Sequence, residues 1–142
     1  MSNPVEPGIT LAYWQSLSAT GKLYLEFPLE KLGYVGSKRR VDGVVVLGKS
    51  GDKTPHPGKD APSLKALRNS SVILIQTKRR KLGMGLAGQA IISRKLFESA
   101  KIDVQRSVAL CHANDPDIGT VLRELGCEVF VYKPEWAKAS RC

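Results

Sequence analysis

Four side chains that can do chemistry lie in segments that otherwise read as protein interior. Glu26 is in "KLYLEFPLE", Asp42 is in "RRVDGVVVLG", and Gln76 and Lys78 end "SVILIQTK". Two carboxylates and an amide oxygen form a hard-oxygen ligand set. It suits Mg²⁺ (or Mn²⁺), a cation that keeps several waters and borrows oxygens from a phosphate. An ammonium beside such a set supplies positive charge where a pentacovalent phosphate develops negative charge, or orients an attacking water. These are the parts that hydrolysis of a phosphodiester needs.

Asp42 is the hardest of the four to explain as a surface residue. It interrupts a run of valines, where an unpaired carboxylate is costly, so it requires a cation or an ion-pair partner such as Lys78 or Arg40. Asp60 is nearer to Gln76 along the chain, but its Pro-Gly surroundings read as loop, and it ranks well below Asp42. Two runs of cations abut the proposed ligands, "KRR" at 38–40 and "KRRK" at 78–81. Arg39, Arg40, Arg79, Arg80 and Lys81 are therefore expected to track phosphates.

The elements that must position these groups follow from hydrophobic periodicity. Residues 10–20 read as a short helix, with Leu11, Trp14 and Leu17 at threefold spacing. The first strand alternates, placing Leu23, Leu25 and Phe27 on one face and Tyr24 and Glu26 on the other. A valine-rich strand carries Asp42. Residues 48–70 read as a long surface loop, rich in Gly, Pro, Lys and Ser. On the third strand Gln76 and Lys78 are two apart and face one way, while Thr77 faces the other. Residues 84–100 give the best helix, with Leu86, Ala90, Ile91 and Phe97 as its apolar stripe and Gln89 one turn from Ser93. A fourth strand, "RSVALCHA", precedes a helix that Asp115 caps, Pro116 starts and Gly126 stops. "CEVFVYK" is a fifth strand, and 134–142 reads as a short polar tail. The expected class is α/β, one domain over residues 1–142 with its core at about 10–133. Its order is α-β-β-β-α-β-α-β, with the first three strands antiparallel neighbours and the later ones parallel.

Charge and cysteine usage narrow the class further. The chain has 142 residues, with 22 Lys plus Arg against 13 Asp plus Glu, a net +9. That surplus favours a polyanionic partner, nucleic acid above all. The longest apolar runs are strand-sized, which excludes a membrane span, and "MSNPVEPGIT" lacks the pattern of a secretory leader. Cys111, Cys127 and Cys142 are odd in number and lack CxxC spacing, so neither a disulfide framework nor a zinc cluster is expected, in keeping with a cytoplasmic protein.

On Glu26, Asp42-Gly43 and Ile75-Gln76-Thr77-Lys78, carried by three successive strands after a helix, the chain resembles the PD-(D/E)XK nuclease superfamily, the restriction-endonuclease-like fold. The QxK spacing is similar to its Mrr-like and resolvase-like branch. The resemblance implies a metal-dependent endonuclease. Asp42 stands at the motif's Asp, Gln76 at its (D/E) position and Lys78 at its Lys, with Glu26 similar to an additional upstream acid. Gln89 resembles a glutamine that some members place near the site. The implied set is Asp42, Glu26 and Gln76 around Mg²⁺ or Mn²⁺ with Lys78 as the catalytic cation. DNA is the expected substrate, and a homodimer is expected for cutting both strands. Two features depart from the pattern: no proline precedes Asp42, and Gln76 is an amide where an acid is usual.

That amide favours an alternative from another class, a nucleic-acid-binding module that keeps the fold without the chemistry. "GMGLAG" at 83–88 also matches GxGxxG formally. The four cations between strand and glycines, and the absence of an acid ending a strand some 20 residues on, place a dinucleotide site third.

Overall fold

The computed structural model describes residues 5–139. These residues form an α/β fold around one six-stranded mixed sheet. Helix α1 (Glu6–Ser16) leads into β1 (Gly21–Pro28) and β2 (Arg40–Leu47). A short strand β3 (Pro55–Pro57), a 3₁₀ turn and helix α2 (Leu64–Arg68) precede β4 (Ser71–Thr77). Then come α3 (Met84–Ser99), β5 (Asp103–Cys111), α4 (Pro116–Glu124), β6 (Glu128–Val131) and α5 (Pro134–Ala139). The strand order is β3-β1-β2-β4-β5-β6. β1, β2 and β4 are antiparallel neighbours, whereas β4, β5 and β6 are parallel and connected through helices, as the segment order implied.

The period-2 alternation of β4 divides the core between the two faces of the sheet. Ile73 and Ile75 pack with Ile9, Tyr13 and Trp14 of α1, and with Val108 and Leu110 of β5. Val72 and Leu74 pack on the other face with Phe97 of α3 and Leu67 of α2. Leu86 and Ala90 of α3 meet Leu122 of α4 and the buried thiols Cys111 and Cys127 in a third cluster. Trp14 is fully buried, a core residue. Among the described residues, no helix is long and apolar enough to cross a membrane.

Four expectations from the sequence are corrected. The first helix runs from Glu6 to Ser16 rather than 10 to 20, because Pro7 starts it ahead of the apolar periodicity. Residues 48–70 are not one loop. They contain β3, which pairs in parallel with β1, as well as the 3₁₀ turn and α2. Two prolines are tolerated in β3 because it is an edge strand. The supposed tail is helical to residue 139, with Trp136 stacked on Phe130 at 5.9 Å between ring centroids; Cys142 lies outside the described residues.

The fourth correction concerns Phe27, which does not share a face with Leu23 and Leu25. It joins the α3-side cluster, whereas they join the α1-side cluster. The switch occurs at Glu26, whose backbone is left-handed (φ 56°), a conformation uncommon for any residue but glycine. Gly58 presses on this corner: a Cβ there would come within 2.3 Å of the Glu26 carbonyl oxygen.

Candidate functional site

The strand register brings the expected residues into one row. Leu25↔Gly43 and Phe27↔Val41 bracket Glu26 and Asp42 on β1 and β2. Gly43↔Ile75 is the last pair between β2 and β4, so Asp42 and Gln76 are the next positions outward. There the ladder ends and side chains take over its hydrogen bonds. The Thr77 N–H donates to the Asp42 carboxylate at 2.8 Å, and the Asp42 N–H donates to Gln76 Oε1 over a long 3.4 Å. Gly43 lets α1 close over this row, because a Cβ there would come within 2.6 Å of the Thr10 methyl group. The Thr10 and Thr77 hydroxyls meet at 2.7 Å and tie α1 to the end of β4.

The structure adds one acid that the sequence reading missed. Glu6, in the first turn of α1, is buried, and its carboxylate accepts the Arg79 N–H at 3.3 Å. The signal was present in "NPVEPGIT", an acid beside the proline that opens a helix, but no apolar periodicity reached that far.

Electrostatics single out Asp42. Burial pushes its carboxyl up to about 6 from 3.8. The Thr77 N–H works against that rise, the charges of Glu26 and Glu6 add to it, and Lys78 opposes it. All four groups therefore act on one carboxyl. Glu26 is also within 3.8 Å of Arg40, which answers the expectation of an arginine partner with a different acid.

Gln76 and Thr77 alternate as expected, Thr77 toward α1 and Gln76 toward α3. The Gln76 side chain is buried, and its Nε2 donates to Ser93 Oγ at 2.8 Å. Its amide thus braces Asp42 against α3 with both ends engaged. Lys78 is half-buried just beyond the strand, and its N–H donates to the Leu110 carbonyl.

Three depressions that share wall residues lie along this end of the sheet. The first holds about 290 Å³ between Arg39, Arg40 and Gln76 on one side and Gln89, Ile92 and Leu96 of α3 on the other. The second continues from Gln89 past Lys78, Arg80 and Lys81. The third continues from Arg40 past Glu26 to Gly58 and Lys59. Gln89 and Arg40 are the shared walls. The expected cations Arg39, Arg40, Arg80 and Lys81 thus line these depressions, with Lys59 added, while Asp42 itself lines none of the three. Lys81 also reaches Asp115 at 4.0 Å. Arg79, half-buried and with its N–H on Glu6, lines none of these depressions.

Whether the residues suit a divalent cation can be judged from their donors. Among the described residues, no three or more His, Cys, Asp or Glu side chains are gathered closely enough to hold a metal on protein ligands alone. Asp42 is nonetheless a hard-oxygen donor, and the negative charges of Glu26 and Glu6 act on it. Mg²⁺ is characteristically bound by one or two carboxylates, with waters and substrate phosphates completing its shell. The donors fit that mode. Comparison of the chain with known protein families, with curated proteins and with solved structures finds no match.

Proposed function

We propose that the chain is a metal-dependent endonuclease of restriction-endonuclease-like fold that hydrolyses phosphodiester bonds, with DNA as its substrate. The observation that carries this reading is the outward end of the β1–β2–β4 row, where Asp42 accepts the Thr77 N–H and its own N–H meets Gln76, a wall of the depression that Arg39 and Arg40 also line. A site that gathers acids in a partly buried row and surrounds them with Arg and Lys suits a ligand bringing a cation and a phosphate together.

Asp42 would hold Mg²⁺ or Mn²⁺, with Glu6 and Glu26 flanking it. The metal, when bound, lowers the pKa of a coordinated water and offsets phosphate charge. Gln76 holds the Asp42 backbone in place through its carbonyl and is itself fixed by Ser93. Lys78 supplies positive charge where the transition state gains negative charge. Arg39, Arg40, Arg80 and Lys81 orient the phosphate backbone. Two such sites in a homodimer would cut both strands.

The test is cleavage of supercoiled plasmid and of a short single strand in Mg²⁺, Mn²⁺ or EDTA, comparing wild type with Asp42→Ala. Metal-dependent cleavage lost in the variant supports the reading, whereas cleavage that persists in EDTA or in the variant sinks it. One observation favours a second reading. The Gln76 amide is engaged at both ends and brings no charge, which suits a binding module without hydrolysis. That module would bind DNA in a salt-sensitive way, equally with and without metal.

A further inference from the structure

Helix α3 carries two glycines that its own stability does not call for. Gly85 and Gly88 are inside the helix, and a Cβ at either position would meet nothing within 4 Å. Alanine would fit at both, and at Gly88, in the helix interior, would favour the helix by about 0.5–1 kcal/mol. Gly85, Gly88, Gln89 and Ile92 are spaced i, i+3, i+4, i+7, so they form one stripe along the helix. The stripe is uncharged, although cations flank it on both sides: Lys78, Arg80 and Lys81 at one end, Arg39 and Arg40 at the other. Ile92 is 57% exposed although the helix has an apolar face to bury it.

Gly88 and Ile92 open onto the 290 Å³ depression. Leu29, Ile92 and Leu96 supply apolar walls, Arg39 and Arg40 belong to the lining, and the exposed Gln89 amide offers both a donor and an acceptor. The volume is near the lower end for small-molecule pockets, ~300 Å³. That suits a single planar ring system and is too small for a base pair. Apolar or guanidinium faces for stacking, with an amide for an exposed Watson–Crick edge, are how unpaired nucleobases are read. Gln76 forms part of the wall and meets the Asp42 N–H, so the pocket adjoins the acidic row.

We infer that this pocket takes one unpaired nucleobase, so the preferred ligand is a nucleic acid with an unpaired nucleotide next to a phosphate gripped by Arg39 and Arg40. The bare glycines let the backbone of that nucleotide approach the helix. The inference rests on the nucleic-acid reading above but needs no hydrolysis.

The experiment is fluorescence anisotropy in EDTA at low salt. It uses two labelled duplexes with a one-nucleotide bulge, one carrying adenine in the bulge and the other an abasic residue. Wild type is expected to bind the adenine bulge about tenfold more tightly, the scale of one stacked base. Gly88→Leu, which fills the pocket from an open helical position, is expected to erase the ratio while its melting temperature stays at or above that of wild type. Equal affinities in wild type, no measurable binding of either duplex, or a ratio that survives in Gly88→Leu would overturn the inference. Cleavage is not read in this assay, so loss of the base preference leaves the nuclease reading standing. Absence of hydrolysis in the plasmid assay likewise leaves the pocket standing.

Discussion

Two polar clusters occupy the same sheet and have opposite electrostatics. At the β5–β6 edge, Arg106 meets Glu128 through two parallel hydrogen bonds of 2.7 Å and also donates to the Tyr13 hydroxyl at 3.1 Å. The hydrogen bonds from Arg106 hold the Glu128 carboxyl below its ordinary range, and Arg106 is held above its own. At the β1–β2–β4 end, burial and two neighbouring acids hold Asp42 up at about 6. In the first cluster charge is matched and geometry is satisfied, as expected of a structural pair. In the second, acids are crowded where one backbone N–H, that of Thr77, and the charge of Lys78 relieve Asp42 only in part, an arrangement that costs stability and is characteristic of functional sites.

The largest effect that would sharpen this contrast is on cleavage. Glu6→Gln or Asp42→Asn is expected to lower metal-dependent hydrolysis by at least about 100-fold, the scale of losing a group that supports a metal or a developing charge. Glu128→Gln should stay within about twofold of wild type on the same plasmid. Similar losses in all three variants would erase the distinction between the clusters.

Next in size is a stability effect whose magnitude depends on pH. Between pH 3.8 and about 6 the folded state keeps the Asp42 proton that the unfolded chain releases. The stability linked to that proton is fully present below pH 3.8 and is lost as pH rises through 6. Asp42→Asn escapes this loss, so in urea unfolding it should exceed wild type at pH 8, by at most about 3 kcal/mol, and match it near pH 4. A variant less stable than wild type at pH 8 would break the argument. Mg²⁺ should act in the opposite sense, raising the wild-type melting temperature at pH 8 by a few degrees and leaving Asp42→Asn unmoved.

The smallest effect belongs to the matched pair. Glu128→Gln is expected to cost about 1 kcal/mol at neutral pH, because the pair is partly exposed. Its carboxyl is held low, so this contribution is present above the ordinary glutamate range and is lost as pH falls. The two clusters should therefore titrate in opposite directions, and a common direction would contradict the contrast drawn between them.

How much of this could be read from the chain depends on how local each signal is. The alternation of Gln76 and Thr77, the cost of Asp42 among valines and the capping of α4 by Asp115 are properties of a few adjacent residues, and all three appear in the structure as read. β3 escaped notice because Pro-His-Pro has no alternation, and its pairing with β1 is a long-range event. The face switch at Glu26 escaped because nothing in "LEFP" marks a left-handed residue; the corner is held by Gly58, more than thirty positions away. Glu6 escaped because its role depends on where α1 docks, not on its neighbours in sequence.

Residues 50–58 touch both acid-bearing elements outside β2. Gly58 packs on the corner at Glu26, while the Lys53 ammonium donates to the carbonyls of Trp14 and Leu17 at the end of α1 and lies 3.9 Å from the centre of the Trp14 ring. Trp136, the second tryptophan, stacks on Phe130. The indole of Trp14 is therefore an intrinsic optical probe of whether the segment is docked. A shift in its emission ahead of any change in far-ultraviolet ellipticity would time release of the segment separately from melting of the sheet.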